Sequence, residues 1–111
     1  MNIHDVWVTV AIEGNPINRM VTAPRLEINL TKMQVMGNDG CNNFSGNIKN
    51  IDNNTINFAT IVSRKKSCRN METANRFNKA LIASASYKIE NGVLVFFDRN
   101  GNEALKLQKT D

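Results

Sequence analysis

This 111-residue chain holds one histidine, one tryptophan, one tyrosine, two prolines and two cysteines. Those scarcities exclude several chemistries. His4 stands alone near the amino terminus, so a Cys–His nucleophile pair lacks a base with a third group to orient it. Two cysteines and one histidine do not complete a four-ligand zinc site, and no Cys-x-x-Cys spacing occurs. No phosphate-cradling loop and no nearby carboxylate pair stand out. No cofactor or metal is expected. No stretch approaches the roughly 18 apolar residues of a membrane-spanning helix. Residues 1–5 lack the basic start and apolar run of a secretory signal. Two readings stay open: a cytosolic protein, or a mature domain behind an added methionine.

Charge of one sign is also in short supply. The net charge is +4, and the basic residues are scattered except for Arg64, Lys65, Lys66 and Arg69. That cluster lacks the interleaved aromatics on which nucleobases stack, so a nucleic-acid partner is not expected. A solvated loop is the plain reading. Docking to anionic headgroups or to an acidic partner is the functional one.

A chain of this length makes one domain, 1–111, with a single core. Val6, Val8, Val10 and Ile12 alternate with Trp7, Thr9 and Ala11, a strand buried on one face and largely covered on the other. Gly14-Asn15-Pro16 ends it. Leu26, Ile28 and Leu30 alternate with Arg25, Glu27 and Asn29, and Thr31-Lys32 turns into a strand over 33–36. Phe44, Gly46 and Ile48 form the next strand. After a turn at Asp52-Asn53-Asn54, residues 55–60 make another, with Ile56 and Phe58 inward. Asn91-Gly92 is the strongest hairpin signal, because both central residues of a type I′ turn need positive φ. Asn100-Gly101 reads as the same device ahead of Leu105 and Leu107.

One helix is predicted over about 71–84. Met71, Ala74, Phe77 (or Asn78) and Leu81 recur at helical spacing, with Asn70 as N-cap and Glu72 in the first turn. It needs a sheet to pack on. Val93-Leu94-Val95-Phe96-Phe97 is apolar on both faces, so one looks into the core and the helix or a neighbouring strand roofs the other. The fold class is α+β, mostly antiparallel β. About eight short strands make a curled sheet or partly open barrel with the helix packed on it. A two-layer α+β sandwich is the other arrangement.

In the middle lies Gly37-Asn38-Asp39-Gly40-Cys41-Asn42-Asn43-Phe44-Ser45-Gly46, with three glycines and three asparagines in ten residues. Such a segment buries little, but it supplies left-handed backbone positions and amides that bond peptide groups. It reads as a structural corner between two halves of the sheet. The expectation is that Gly40 or Gly37 holds a conformation poor for other residues, and that Asn42 bonds loop backbone.

The order of these residues resembles the META domain, the fold of HslJ-type heat-shock-inducible lipoproteins. A Trp-containing first strand is followed by Gly40-Cys41-Asn42 with Phe44 and Gly46. Thr60 and Ser63 precede Cys68, Met71-Glu72 opens the helix, and Leu94 and Asp98 lead to Asn100-Gly101. The resemblance runs from Trp7 to Leu107. It implies a stress-linked cell-envelope domain, periplasmic or lipid-anchored to the outer membrane, with no catalytic activity. A monomer is expected, with membrane contact only through the kind of lipid anchor common in that family, which this chain does not carry. The partner would be an envelope protein, a peptide or an amphiphile. The competing readings are a small cytosolic nucleic-acid binder and an enzyme using Cys41.

Cys41 and Cys68 are read as a disulfide or two buried thiols, close in space and bonded in an oxidising compartment. Their meeting would bring Arg64, Lys65, Lys66 and Arg69 beside Asn38 and Asn43. Those residues form the expected binding rim, around an apolar interior at the open mouth of the curled sheet. Three Asn-x-Ser/Thr matches, at Asn29, Asn43 and Asn53, are assigned no function.

Overall fold

The computed structural model describes residues 3–18, 22–64, 66–69 and 71–110. The chain runs β1 (Val6–Ile12), β2 (Asn15–Pro16), β3 (Arg25–Asn29), β4 (Gln34–Asn38), β5 (Asn43–Ile51), β6 (Ile56–Ser63), α1 (Glu72–Ala83), β7 (Ser86–Glu90), β8 (Val93–Phe97) and β9 (Glu103–Lys109). All pairings are antiparallel, and the sheet order is β6-β5-β4-β3-β1-β9-β8-β7 with β2 beside β1. It is a curled half-barrel. The first and last strands meet at one corner only, through a Thr55–Ser86 bridge and the Ile56 N–H bond to Ala85 O.

In β1, Trp7 and Thr9 point into the core and Val6, Val8 and Val10 are half-buried. The register against β9 shifts between Thr9 and Ala11, so Ala11 and Ile12 are both buried. A bulge of this kind bends the strand, as closing a barrel requires. The indole Nε1–H of Trp7 donates to Ile3 O at 3.1 Å, which satisfies its one polar atom inside the core.

The helix plugs the half-barrel. Ala74, Phe77, Ala80 and Leu81 lie on its buried stripe, and Phe77 and Leu81 are wholly removed from solvent in one core with Trp7, Leu94, Phe96 and Leu105. Burying a side chain of the size of Phe77 or Leu81 contributes roughly 2 kcal/mol. The helix packs mainly on β9 and then on β1. The expected open mouth is therefore filled, because the apolar stripe of the helix has no other surface to cover it.

Four local expectations change. The cap position falls on Met71, with no side-chain cap bond; Asn70 lies outside the described residues. Met33 adopts φ 53° and belongs to the turn, so β4 begins at Gln34. Asn91 and Gly92 both have positive φ, as a type I′ turn demands, whereas Asn100 does not. There Gly101 alone is left-handed, and Asp98 O accepts its N–H at 3.0 Å, a turn followed by a one-residue bulge. Finally, the second face of β8 is roofed neither by the helix nor by a strand. Val93, Val95 and Phe97 stay half-buried there beside Lys88 and Lys106.

Candidate functional site

The corner between β4 and β5 is built by two consecutive side chains. Asn38 Oδ1 accepts the Gly40 N–H at 2.8 Å. Asp39 Oδ1 accepts the N–H groups of Cys41 and Asn42 at 2.8 and 2.7 Å. Short acidic and amide side chains bonding their own backbone two or three residues on is what makes such a turn. Asp39 is 1% exposed, and its second oxygen accepts the Asn78 Nδ2–H from α1 at 2.7 Å. Sequence reasoning missed Asp39. Its position in an Asx turn was the available signal, but its bond to the helix had none.

Gly40 sits at φ +103° with its α-carbon facing Thr22 O, which confirms the expectation for that glycine. Gly37 differs. Its backbone is ordinary, but an added Cβ would stand 2.0 Å from Arg25 O on β3. Close strand approach requires that glycine. Gly46 is similarly crowded by Thr60 O and Ile61 of β6. Phe44 enters the core and its ring lies 5.8 Å from that of Phe77.

Cys41 and Cys68 form a disulfide with Cα atoms 5.9 Å apart. Buried Asn42 donates from Nδ2 to Lys66 O at 2.9 Å, so the expected bond to loop backbone goes to the opposite loop and not to its own. The basic loop is thus tied down twice. Lys66 and Arg69 are exposed, and Lys65 lies outside the described residues.

Strand register then assembles a groove on the sheet face opposite the core. Val6 pairs with Glu27, Glu27 with Met36, Met36 with Ser45, and Ser45 with Val62, one continuous row across five strands. The next row on that face carries Arg25 opposite Asn38 and Asn38 opposite Asn43. Arg64 lies beyond them, its N–H directed at Asn43 O. Asn38 Nδ2 donates to Asn43 Oδ1 at 3.0 Å. These residues line a cavity of about 700 Å³. Of the expected rim, Asn38, Asn43 and Arg64 come together here, and Lys66 and Arg69 do not line it. Arg25, Met36 and Val62 were missed, because only the register places them side by side.

Neither Arg25 nor Arg64 forms an ion pair among the described residues. The single histidine is elsewhere, its Nδ1 accepting the Leu30 N–H at 3.0 Å. The groove can therefore offer cationic forks, two amides and apolar surface.

A family model described as META domain matches residues 2–111. Among solved structures, one determined by NMR superposes with a TM-score of 0.73 at 22% identity, covering 97% of this chain and 91% of its own. Another, an NMR structure of a protein from Burkholderia xenovorans, gives a TM-score of 0.68 at 16% identity, over 96% of this chain and 82% of its own. At those identities the likeness is one of fold. No curated protein matches the chain.

Proposed function

Because the chain belongs to the META domain family, we propose that it works as a non-catalytic, stress-linked module of the cell envelope. It acts there by binding a protein, peptide or amphiphile, or by supporting envelope integrity. The observation that carries this reading is the Cys41–Cys68 disulfide. It bears on chemistry and on location together. The chain has two cysteines, and both sulfurs are bonded, so neither is a thiolate nucleophile. Disulfides persist in oxidising compartments and are rare in the reducing cytosol, which favours a periplasmic or surface address. The outer-face groove, with charged, amide and apolar groups converging, is where binding would take place.

Thiol trapping in the native organism tests the proposal. Cells are quenched in acid, reacted with a mass-tagged maleimide, and the protein is sized before and after reduction. The expected result is no tag until reductant is added, in the envelope fraction. Two tagged cysteines in a cytosolic fraction would overturn both the location and the argument against a thiol enzyme.

A further inference from the structure

Resting on the reading of this domain as a binding module, we infer that the outer-face groove holds a single-chain amphiphile with a carboxylate head. Three large apolar side chains among the described residues are exposed, and two of them, Met36 (38%) and Val62 (64%), line this one groove. Val6 lies in the same cross-strand row. Exposed apolar groups scattered singly need no explanation. Gathered along one groove, they mark a surface that gains by being covered. Five strands spaced at about 4.8 Å span roughly 19 Å, room for an extended acyl chain lying across them.

The positive end lies in the adjacent row. Arg25 on β3 and Arg64 just past β6 flank the bonded Asn38–Asn43 pair. Their backbones are about three strand spacings apart, roughly 14 Å, a gap that two guanidinium arms reach into from either side. Free of ion pairs among the described residues, both forks match a carboxylate in shape and charge. Glu27 is the one carboxylate among the lining residues, so the groove is positive by one charge. Anionic heads are favoured over cationic ones.

The same geometry argues against a peptide. β3, β4 and β5 are paired on both sides, so their backbone groups are committed to the sheet. A peptide backbone laid on this face would find scattered polar side chains, such as Arg25, Glu27, Asn38, Asn43 and Ser45, and no strand ladder to replace its water. An acyl chain needs no such partners. A peptide strand would instead add to the edge of β6, beyond the Thr55–Ser86 bridge.

The test is a titration of sodium laurate, kept below its micellar concentration, into protein labelled with ¹⁵N and with ¹³C in its methionine methyls. Dodecyltrimethylammonium is the charge-reversed probe, and an R25Q/R64Q double variant is the site control. Both arginines are exposed and make no ion pair among the described residues, so the variant should fold, which its own amide spectrum verifies. Saturable laurate shifts are expected at the Met36 methyl and at amides 25–27, 36–38, 43–45 and 62–64. Affinity should fall about tenfold or more in the double variant, and the cationic probe should not saturate. Absence of saturable shifts, equal binding of the two probes, or wild-type affinity in the variant would each overturn the proposal. So would shifts confined to residues 57–61, which would place the interaction on the β6 edge. None of these failures touches the compartment reading, which thiol trapping decides separately.

Discussion

Asn78, on the helix, donates its Nδ2–H to Oδ2 of Asp39 in the β4–β5 corner, 2.7 Å away and 39 positions earlier in the chain. The other oxygen of that carboxylate holds two peptide groups of the disulfide-bearing turn. One buried side chain therefore connects the corner, the cystine and the helix that plugs the barrel. Each of the three positions the next, and the consequences are measurable.

Asp39→Ala should be among the most damaging single changes. It leaves the N–H groups of Cys41 and Asn42 and the Asn78 amide without their acceptor. With ~1–3 kcal/mol for each buried group left unsatisfied and partial relaxation, a loss of about 3 kcal/mol is expected. Asn78→Ala should cost about 1 kcal/mol. A double-mutant cycle from urea melts should show strong coupling between the two. Additive effects would mean that the contact carries no stability.

The cystine should matter through the unfolded state. Its two cysteines are 27 positions apart. Cross-linking a loop of that length is worth about 3.5 kcal/mol in the chain-entropy model. Paired thermal melts with and without reductant, and of C41S/C68S, should show a loss of that order. A reduced protein as stable as the oxidised one would remove the staple from the account of stability.

Two glycines should respond in different degrees. Gly37→Ala drives a methyl into the Arg25 carbonyl, and the pairing of β3 with β4 must shift to admit it. A cost of about 3 kcal/mol or more is expected from such overpacking. Gly40→Ala meets less crowding, and its strain comes from φ +103°, with a cost of more than ~1 kcal/mol. Equilibrium denaturation ranks the pair. The reverse order would show that backbone conformation, not strand approach, is the tighter constraint.

Acid should weaken the fold through two carboxylates, half-buried Asp5 and exposed Asp52. The Val6 N–H, then Lys109, holds Asp5 below its ordinary value of 3.8. Asp52 is lowered by the Thr55 hydroxyl, then by the N–H groups of Asn54 and Thr55. A depressed folded pKa stabilises above the unfolded value and is lost as pH falls through the folded one. The acid limb should therefore begin near pH 4 and deepen below it. Asp5→Asn and Asp52→Asn should each flatten it in melts taken between about pH 5 and 2. Tyr87 works on the alkaline side, since burial and then the Asp52 charge raise its pKa above 10.0. Stability from its neutral form is complete below pH 10 and lost above it, and Tyr87→Phe should remove that alkaline loss.

Much of the candidate site was beyond the reach of sequence because its parts are not neighbours in the chain. The corner itself was legible in part: Gly40 needs positive φ, whereas the Asn42 amide bonds the backbone of the Lys66 loop and not that of its own. Phe44 lies in the strand expected of it, and Cys41 and Cys68 are bonded, one of the two states read for them. Asn38, Asn43 and Arg64 were named as a rim and do line one groove, though on the outer face and not at a barrel mouth. Gly37 reads as a turn residue and proves to be a close-approach residue, a distinction that exists only once β3 lies against β4.

Local chemistry, then, was determined by the sequence alone. The period-two strands, the helical stripe of Ala74, Phe77 and Leu81, and the left-handed Asn91-Gly92 turn each follow from residues within a few positions of one another. Such features are set by torsional preference and by the side chains next in line. What the tertiary structure decided is which distant residues share a face. The row Val6, Glu27, Met36, Ser45, Val62 draws one residue from each of five strands. A slip of one residue in any pairing would turn that strand's contribution to the other side of the sheet. Burial of Asp39 and closure of the barrel by α1 are of the same kind. They depend on long-range packing that gains free energy only when the whole core assembles.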